Sequence, residues 1–251
     1  MIYREYLVMR KALAWFVGVL GVLLLFLFFA AKGSDRMDFG AIVSASGWLA
    51  TIFASIFGVA LGNGSREAAR VLWVLPSERW KLGLQIVVVD LIGTTVAFAV
   101  AGALMLAFLA LSTLRVKVDL HGTVSIAGML MPLAMAYAVY GWSALIGMVA
   151  RRVAYAGIIA LPALMIWMVL AHADGTLGAI LRAPIVANPL AVFNSAMLLS
   201  GWTRHHFALN AVAASLQWLG TSWGTPVLAA TAAAACGLAV MLWQRAQIVS
   251  A

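Results

Sequence analysis

Residues 82–114 read LGLQIVVVDLIGTTVAFAVAGALMLAFLALSTL, and this stretch decides the fold class because it contains a single charged residue, Asp90. An α-helix needs about 20 consecutive apolar residues to cross the hydrocarbon of a bilayer. The stretch therefore predicts a membrane-spanning helix. Five other apolar stretches have the length of a span: Ala12–Ala31, Ile42–Leu61, Val124–Ala150, Val153–Ala171 and Pro226–Trp243.

The composition points the same way. Of the 251 residues, 65% are hydrophobic and 10% are charged, against roughly a quarter charged in an ordinary soluble domain. Since a soluble chain of this length could not hide so much apolar surface, we expect an all-α integral membrane protein. Its single transmembrane domain, residues 1–251, would contain about six spans. The first of them is too long for the apolar core of a signal peptide, which has about 7–15 residues.

The distribution of Lys and Arg predicts the orientation, because cytoplasmic flanks carry the excess of positive charge. With the N-terminus inside, ten of the 16 Lys and Arg residues fall on the inner side: Arg4, Arg10, Lys11, Arg66, Arg70, Arg79, Lys81, Arg151, Arg152 and Arg245. Both termini are therefore expected in the cytoplasm. The net charge of +8 is explained by anionic membrane lipid, so no nucleic-acid partner is needed.

Two charged segments flank the first spans. Residues 1–11 (MIYREYLVMRK) alternate apolar and charged residues at roughly helical spacing, which suits an interfacial helix on the cytoplasmic surface. Residues 65–81 (SREAARVLWVLPSERWK) contain a capping serine, an apolar run and a terminating Pro76. This segment is interpreted either as a short amphipathic helix that docks a cytoplasmic partner or as an ordinary interfacial loop.

The second segment resembles the cytoplasmic loops of type-2 permeases of ATP-binding-cassette (ABC) transporters. The matching residues are Glu67, Leu75–Pro76, Ser77 and Arg79, followed by a long span. The six-span layout, the amphipathic N-terminus and the Asn188–Pro189 step before the last span are also similar. One departure is Gln85, which stands where the family often has a lysine.

The resemblance implies the permease subunit of an ATP-driven transporter, an exporter, in a bacterial cytoplasmic membrane. The chain lacks a G-x-x-x-x-G-K-[ST] phosphate loop, so ATP and magnesium would belong to a cytoplasmic ATP-binding subunit, and the chain itself would need no cofactor. A second copy of the chain would complete the translocation unit. The residues expected to couple to the ATPase subunit are Glu67, Arg70, Trp73, Glu78 and Arg79. The alternatives are a non-transporting membrane assembly protein and a polytopic membrane enzyme.

Residues 183–220 precede the last span and allow two interpretations. They lack the uniform apolar character of a span, since they include Pro184, Asn188 and Pro189. Irregular backbone at membrane depth is tolerated only where protein or a water-filled cavity covers it. We expect two short re-entrant helices here, as in the ABC permeases, rather than the two full spans of an eight-helix protein.

Few residues inside the spans could carry chemistry. Asp90 is the only charged residue in a predicted span, and Thr94 follows one turn later; both could line a translocation pathway. Alternatively, Asp90 lies near the inner interface, solvated or paired with a basic residue. Gly58 and Gly62 form a G-x-x-x-G pattern that permits close helix packing, although one such match is expected by chance among 22 glycines. No metal site is expected, since the His205–His206 pair has no cysteine or carboxylate nearby.

Overall fold

The computed structural model of the chain describes residues 2–30, 36–62, 79–112, 117–119, 126–149, 153–173, 175–199, 216 and 220–249. In chain order the elements are α1 (Ile2–Ala30), β1 (Arg36–Asp38), α2 (Phe39–Gly62), α3 (Arg79–Ser112), β2 (Lys117–Asp119), α4 (Ile126–Val149), α5 (Val153–Leu170), α6 (Thr176–Arg182), a 3-10 turn (Ile185–Ala187), α7 (Pro189–Leu199) and α8 (Gly220–Val249).

Within the part of the chain that the structure describes, four helices are long and apolar enough to cross a membrane. The qualifying stretches are Val43–Gly62, Trp80–Phe108, Leu130–Met148 and Trp223–Leu242, in α2, α3, α4 and α8, and α5 adds the shorter apolar stretch Ile159–Leu170. This confirms the coarser prediction, a helical chain with several helices long and apolar enough to span a membrane. The layout of six spans is taken up below as a proposal.

The predicted interfacial segment and the predicted first span form one continuous helix over the described residues, Ile2–Ala30. Met9 is buried, and the space around its thioether is so tight that a side chain at Gly93 of α3 would overlap it. Leu20, further along α1, packs with Ala101 of α3. Since both contacts advance together along the two helices, α1 runs parallel to α3, and its N-terminal part already packs on the bundle.

Among the described elements, helices α2 and α4 make the most extensive contact. A Cβ atom at Gly58 would overlap the carbonyl oxygen of Tyr140, and one at Gly62 would overlap that of Ala144. From the other side, a Cβ at Gly147 would lie 2.8 Å from the carbonyl oxygen of Val59. The G-x-x-x-G pattern is therefore not a chance match: Gly58 and Gly62 form the surface on which α4 packs, because they let the two backbones approach closely.

The two short strands identify one end of the bundle. β1 and β2 pair in parallel, with Met37 opposite Val118, and this brings the start of α2 next to the end of α3. We call this the strand end. No strand was predicted, since three-residue strands have no detectable alternation and these two are about eighty residues apart in sequence. The start of α8 lies at the strand end too, because Gly224 sits against Met131 in the first turns of α4.

Most of the buried apolar residues that the structure describes belong to two large clusters. One involves α4, α5, α7 and α8, with Met135, Phe193 and Leu228 among its buried members. The other involves α1, α2, α3, α4 and α8, with Phe53 and Tyr140 among its members. Because α4 and α8 contribute to both clusters, they form the centre of the bundle. The polar residues considered next lie on these central contacts.

Candidate functional site

Asp90 lies in the interior of the bundle rather than at its surface. Its side chain is 1% exposed, and its Oδ2 atom accepts a hydrogen bond of 2.8 Å from the hydroxyl group of Tyr140, which is itself fully buried. Tyr140 stands near the middle of the apolar stretch Leu130–Met148. Asp90 is therefore level with the middle of α4, and the expectation of a solvated carboxylate near the inner interface does not fit this structure.

Burial makes the carboxylate of Asp90 costly, because an ion loses its hydration when it leaves water. A hydrogen bond from a phenolic hydroxyl to an ionised carboxylate offsets part of that cost and is stronger than a bond between neutral groups. Intramembrane carboxylates of this kind are associated with substrate, ion or proton movement. The Asp90–Tyr140 pair is therefore the leading candidate site in the described part of the chain.

Thr94, the second residue predicted for the pathway, uses its hydroxyl group within its own helix. Its Oγ1 atom donates to the carbonyl oxygen of Asp90 at 2.9 Å, a common arrangement for threonine in an apolar helix. Thr95 does the same with the carbonyl of Leu91 at 2.8 Å. Since this uses the single proton of Thr95, the hydroxyl group of Tyr137 is the donor in the short hydrogen bond between Tyr137 and Thr95. Thr94 is thus a neighbour of the site rather than a group facing it.

Two tyrosines three residues apart on α4 therefore reach across to α3. Sequence reasoning missed both, although a signal was available: a phenolic hydroxyl in an apolar span needs a hydrogen-bond partner. Gly58 of α2 lies directly behind Tyr140 and fixes the position of its backbone. On the same interface, Ser143 donates to Ser55 at 3.1 Å. The site is consequently built by α2, α3 and α4 together.

Only one of the five predicted coupling residues belongs to a described element. Glu67, Arg70, Trp73 and Glu78 lie outside the described residues. Arg79 belongs to a described element, as the first residue of α3. Their role in docking an ATPase subunit stays a prediction.

The step Asn188–Pro189, singled out in the sequence, begins α7. The Oδ1 atom of Asn188 accepts from the backbone N–H groups of Leu190 and Ala191, at 3.1 and 3.4 Å, so Asn188 is the N-cap and Pro189 occupies the first helical position. The Nδ2 atom of Asn188 donates to the carbonyl oxygen of Leu164 in α5 at 2.9 Å. This buried residue therefore both starts α7 and fixes it to α5.

The segment from α6 to α7 enters the bundle from the strand end and turns back. Before the turn, the indole N–H of Trp142 donates to the carbonyl of Ala187 at 2.8 Å. After it, Ala196 lies beside Gly224 at the start of α8, which in turn adjoins Met131. Between Met131 and Trp142, α4 rises by about 16 Å at 1.5 Å per residue. The chain therefore descends to the level of Trp142 and returns within α7.

The described residues contain no group of three or more His, Cys, Asp or Glu side chains that could hold a metal ion. The His205–His206 pair, where no metal site is expected, lies outside them. Cys236, the one cysteine of the chain, is buried in the same core cluster as Tyr140.

Comparisons with known proteins were made at three levels. No family model matches the chain, no curated protein matches it, and no solved structure matches it. A functional conclusion therefore depends on the residues and their geometry.

Proposed function

We propose that this chain is the membrane-spanning permease subunit of an ATP-driven transporter, an exporter, which works with a separate ATP-hydrolysing subunit and a second copy of itself. The observation that carries the proposal is the buried Asp90–Tyr140 hydrogen bond at mid-depth in the bundle. A membrane protein with a purely structural role has no need of a carboxylate there, whereas a transporter uses such a group on its substrate or ion path.

The turn at Asn188 supports the same proposal. Non-helical backbone at membrane depth occurs where it lines a cavity or is covered by protein, and broken helices are common at the sites of transporters. Here the turn is covered by α4 and α5, through Trp142 and Leu164. We infer that residues 183–220 form a re-entrant segment at the outer face, in place of two full spans.

The ATP-driven step would reach the bundle through residues 65–81, which resemble the coupling segment of type-2 ABC permeases. α2 and α3 flank this segment in the chain, and both contribute to the site around Tyr140. A displacement of the segment would therefore act on the helices that hold Asp90. The chain itself needs only two conformations whose balance the ATPase subunit shifts.

The coupling proposal is tested by reversing the charges of Glu67 and Arg79 together. An exposed ion pair contributes about 0–1 kcal/mol, so single neutralisations should do little, whereas a double reversal adds repulsion to the lost attraction. The reversed protein should still insert into the membrane but lose association with its ATPase subunit, measured by co-purification. Reversal of Arg36, which lies in β1 at the other end of the bundle, is the control. Unchanged association in the double variant would leave residues 65–81 as an interfacial loop.

The proposed topology has six spans, cytoplasmic termini and the strand end outside, in a bacterial cytoplasmic membrane. Cysteines introduced at positions 70 and 151 should then react only from the cytoplasm, and cysteines at positions 36, 117 and 174 only from outside. A cysteine at position 204 should react from outside if residues 183–220 are re-entrant, and from the cytoplasm if they form two spans. Reaction of position 70 from outside in intact cells would contradict the orientation.

Two rival functions are a non-transporting assembly protein and a membrane enzyme. Asp90→Asn separates them from a permease, because an asparagine can still accept the hydrogen bond of Tyr140 while the charge is lost. A permease should assemble normally with its ATPase subunit and lose transport. An assembly protein should be unaffected by this substitution, and normal transport by the variant would remove Asp90 from the pathway.

A further inference from the structure

Helices α1 and α3 pack side by side, but their apolar stretches differ in length. On α1 the apolar stretch is residues 12–30, about 28 Å long at 1.5 Å per residue. On α3 it is residues 82–112, about 46 Å long, with Asp90 as its one charged residue. Since the hydrocarbon core of a bilayer is about 30 Å thick, α1 matches the core and α3 exceeds it.

The excess length of α3 lies at the end of the bundle opposite the strand end, which we call the inner end. Met9 of α1 packs against Gly93 of α3. The next two residues of α1, Arg10 and Lys11, are exposed and lie at about the same level. Lys81, the last charged residue before the apolar stretch of α3, lies about 18 Å nearer the inner end at 1.5 Å per residue. The positive charges of the two helices are therefore offset along the bundle.

A flat bilayer surface does not suit both helices. If the headgroups lie at Lys81, whose Nζ atom is 5.7 Å from the centre of the Trp80 ring, the exposed cations of α1 face hydrocarbon, where a charge is costly. If the headgroups lie at the cations of α1, exposed apolar side chains on the inner part of α3 face water. A tilt of the bundle does not remove the offset, because α1 runs parallel to α3 and both are shortened by the same factor.

The two levels belong to different sides of α3. Leu84 and Val88 are about half exposed. They precede Gly93 by nine and five residues, which turns them away from the α1 contact by about 180° and about 140° at 3.6 residues per turn. A bilayer thins locally where an apolar stretch is short. The bilayer can therefore reach the start of α3 on its far side while its surface is drawn toward the membrane centre at α1.

The exposed face of α1 combines cations with an apolar stripe. Trp15, Gly18 and Val22 follow Lys11 by four, seven and eleven residues, a spacing that keeps them on one side of a helix. Trp15 is 77% exposed and Val22 is 69% exposed, and a Cβ atom at Gly18 would meet nothing within 4 Å. Arg10 adds a second exposed cation beside Lys11. This pattern matches the phosphate and the acyl chain of a phospholipid, and the lipids of a cytoplasmic leaflet are partly anionic.

We propose that this face of α1 binds an anionic phospholipid, with its phosphate at the two cations and an acyl chain along Trp15 and Gly18. The bound lipid draws the headgroup region to the level of Gly93, one helical turn from Asp90, on the α1 side of the bundle. The site does not depend on ATP-driven transport, and it would stand if the chain had another function.

The first test measures how far the headgroup region reaches along α1. Nitroxide labels are attached to Ala14→Cys or Val96→Cys, each in a Cys236→Ala background, in nanodiscs of phosphatidylcholine and phosphatidylglycerol. Both positions are exposed, and Ala14 is no nearer to the inner end, since it follows Met9 by five residues while Val96 follows Gly93 by three. We expect the label at Ala14→Cys to collide several-fold more often with a water-soluble nickel chelate. Equal rates, or a lower rate at Ala14→Cys, would overturn the proposal, because the bilayer surface would then be flat.

The second test identifies the lipid. The full chain is released from the same nanodiscs under native conditions in a mass spectrometer, and the retained lipids are counted. The parent should retain phosphatidylglycerol in preference to phosphatidylcholine. Lys11→Ala should lower the retained phosphatidylglycerol several-fold, and the double variant Arg10→Ala with Lys11→Ala should lower it further. The matched control is Lys81→Ala, which removes one exposed cation from the start of α3 and should change retention little.

Three results of the second test would overturn the proposal. Unchanged retention in the double variant would show that the cations of α1 hold no lipid. A fall in Lys81→Ala as large as in Lys11→Ala would show a general effect of charge at the inner end. Equal retention of the two lipids by the parent would show a surface that does not select an anionic headgroup.

Discussion

Tyr140→Phe tests the central claim about the candidate site, that a charged carboxylate inside the bundle is held by a phenolic hydroxyl. The substitution removes one oxygen and leaves the ring, which is fully buried, in place. The lost bond is 2.8 Å long and its acceptor is Asp90. Hydrogen bonds to charged groups contribute about 1.5–3 kcal/mol, against about 0.5–1.5 kcal/mol for a bond between neutral groups. We therefore expect Tyr140→Phe to lower the free energy of unfolding by about 1.5–3 kcal/mol, the range for a bond to a charged group.

Tyr137→Phe is the matched control, because Tyr137 lies one turn earlier on α4 and donates to the neutral hydroxyl group of Thr95. It should cost about 0.5–1.5 kcal/mol. The measurement is reversible unfolding in mixed micelles of increasing SDS content, followed by tryptophan fluorescence. A second comparison repeats Tyr140→Phe in an Asp90→Asn background, where the acceptor is neutral. There the cost of Tyr140→Phe should fall to that of the control.

Two results would refute the reasoning. If Tyr140→Phe costs no more than Tyr137→Phe, the bond to Asp90 has no charge-assisted component. If its cost is the same in the parent and in the Asp90→Asn background, the two side chains are not coupled in the way that a double-mutant cycle detects. In either case the carboxylate would be neutral or held by other contacts, and a functional charge at this depth would lose its main support.

Substitutions at three further positions, Gly58, Asn188 and Gly175, test the packing of the bundle. Gly58→Ala should destabilise the protein by about 1–3 kcal/mol, because its Cβ atom would overlap the Tyr140 backbone. Gly237→Ala is the control, since its Cβ atom would meet nothing within 4 Å, and it should stabilise the protein by about 0.5–1 kcal/mol. Equal effects of the two substitutions on SDS unfolding would contradict the α2–α4 contact. Asn188→Ala should cost about 0.5–2 kcal/mol from the lost cap alone. Asn188→Asp should also destabilise the protein in the same assay, because it keeps the capping oxygen but places a second oxygen against the Leu164 carbonyl, to which Asn188 Nδ2 donates. Gly175→Ala should cost about 1–2 kcal/mol, since Gly175 has a φ of 90° that L-residues rarely adopt. An unchanged Tm would show that the backbone at position 175 can change its conformation without cost.

The sequence predicted the helical class because apolar length is a local property. The stretches of α2, α3, α4 and α8 can each be recognised without knowing what they contact. Asp90 was also recognisable, since one charge in an apolar run is conspicuous. Its partner was not, because the bond to Tyr140 joins residues fifty positions apart and depends on how α4 is rotated against α3. The same holds for the short strands, whose pairing is set by the helices that bring them together.

The glycines show how the missing information could be supplied. In the sequence Gly58 was distinguished only by its G-x-x-x-G spacing with Gly62, which chance could explain. Its contact with the Tyr140 backbone is what separates it from Gly237, which faces open space. Once α2 is fixed that closely to α4, the ring of Tyr140 is directed to α3, and the carboxylate of Asp90 has a donor that makes its burial tolerable. The buried carboxyl group of Asp90, its donor and the glycine behind the donor therefore form one unit. If the chain is the proposed permease, a larger residue at Gly58 should therefore lower transport although it does not touch the carboxyl group of Asp90.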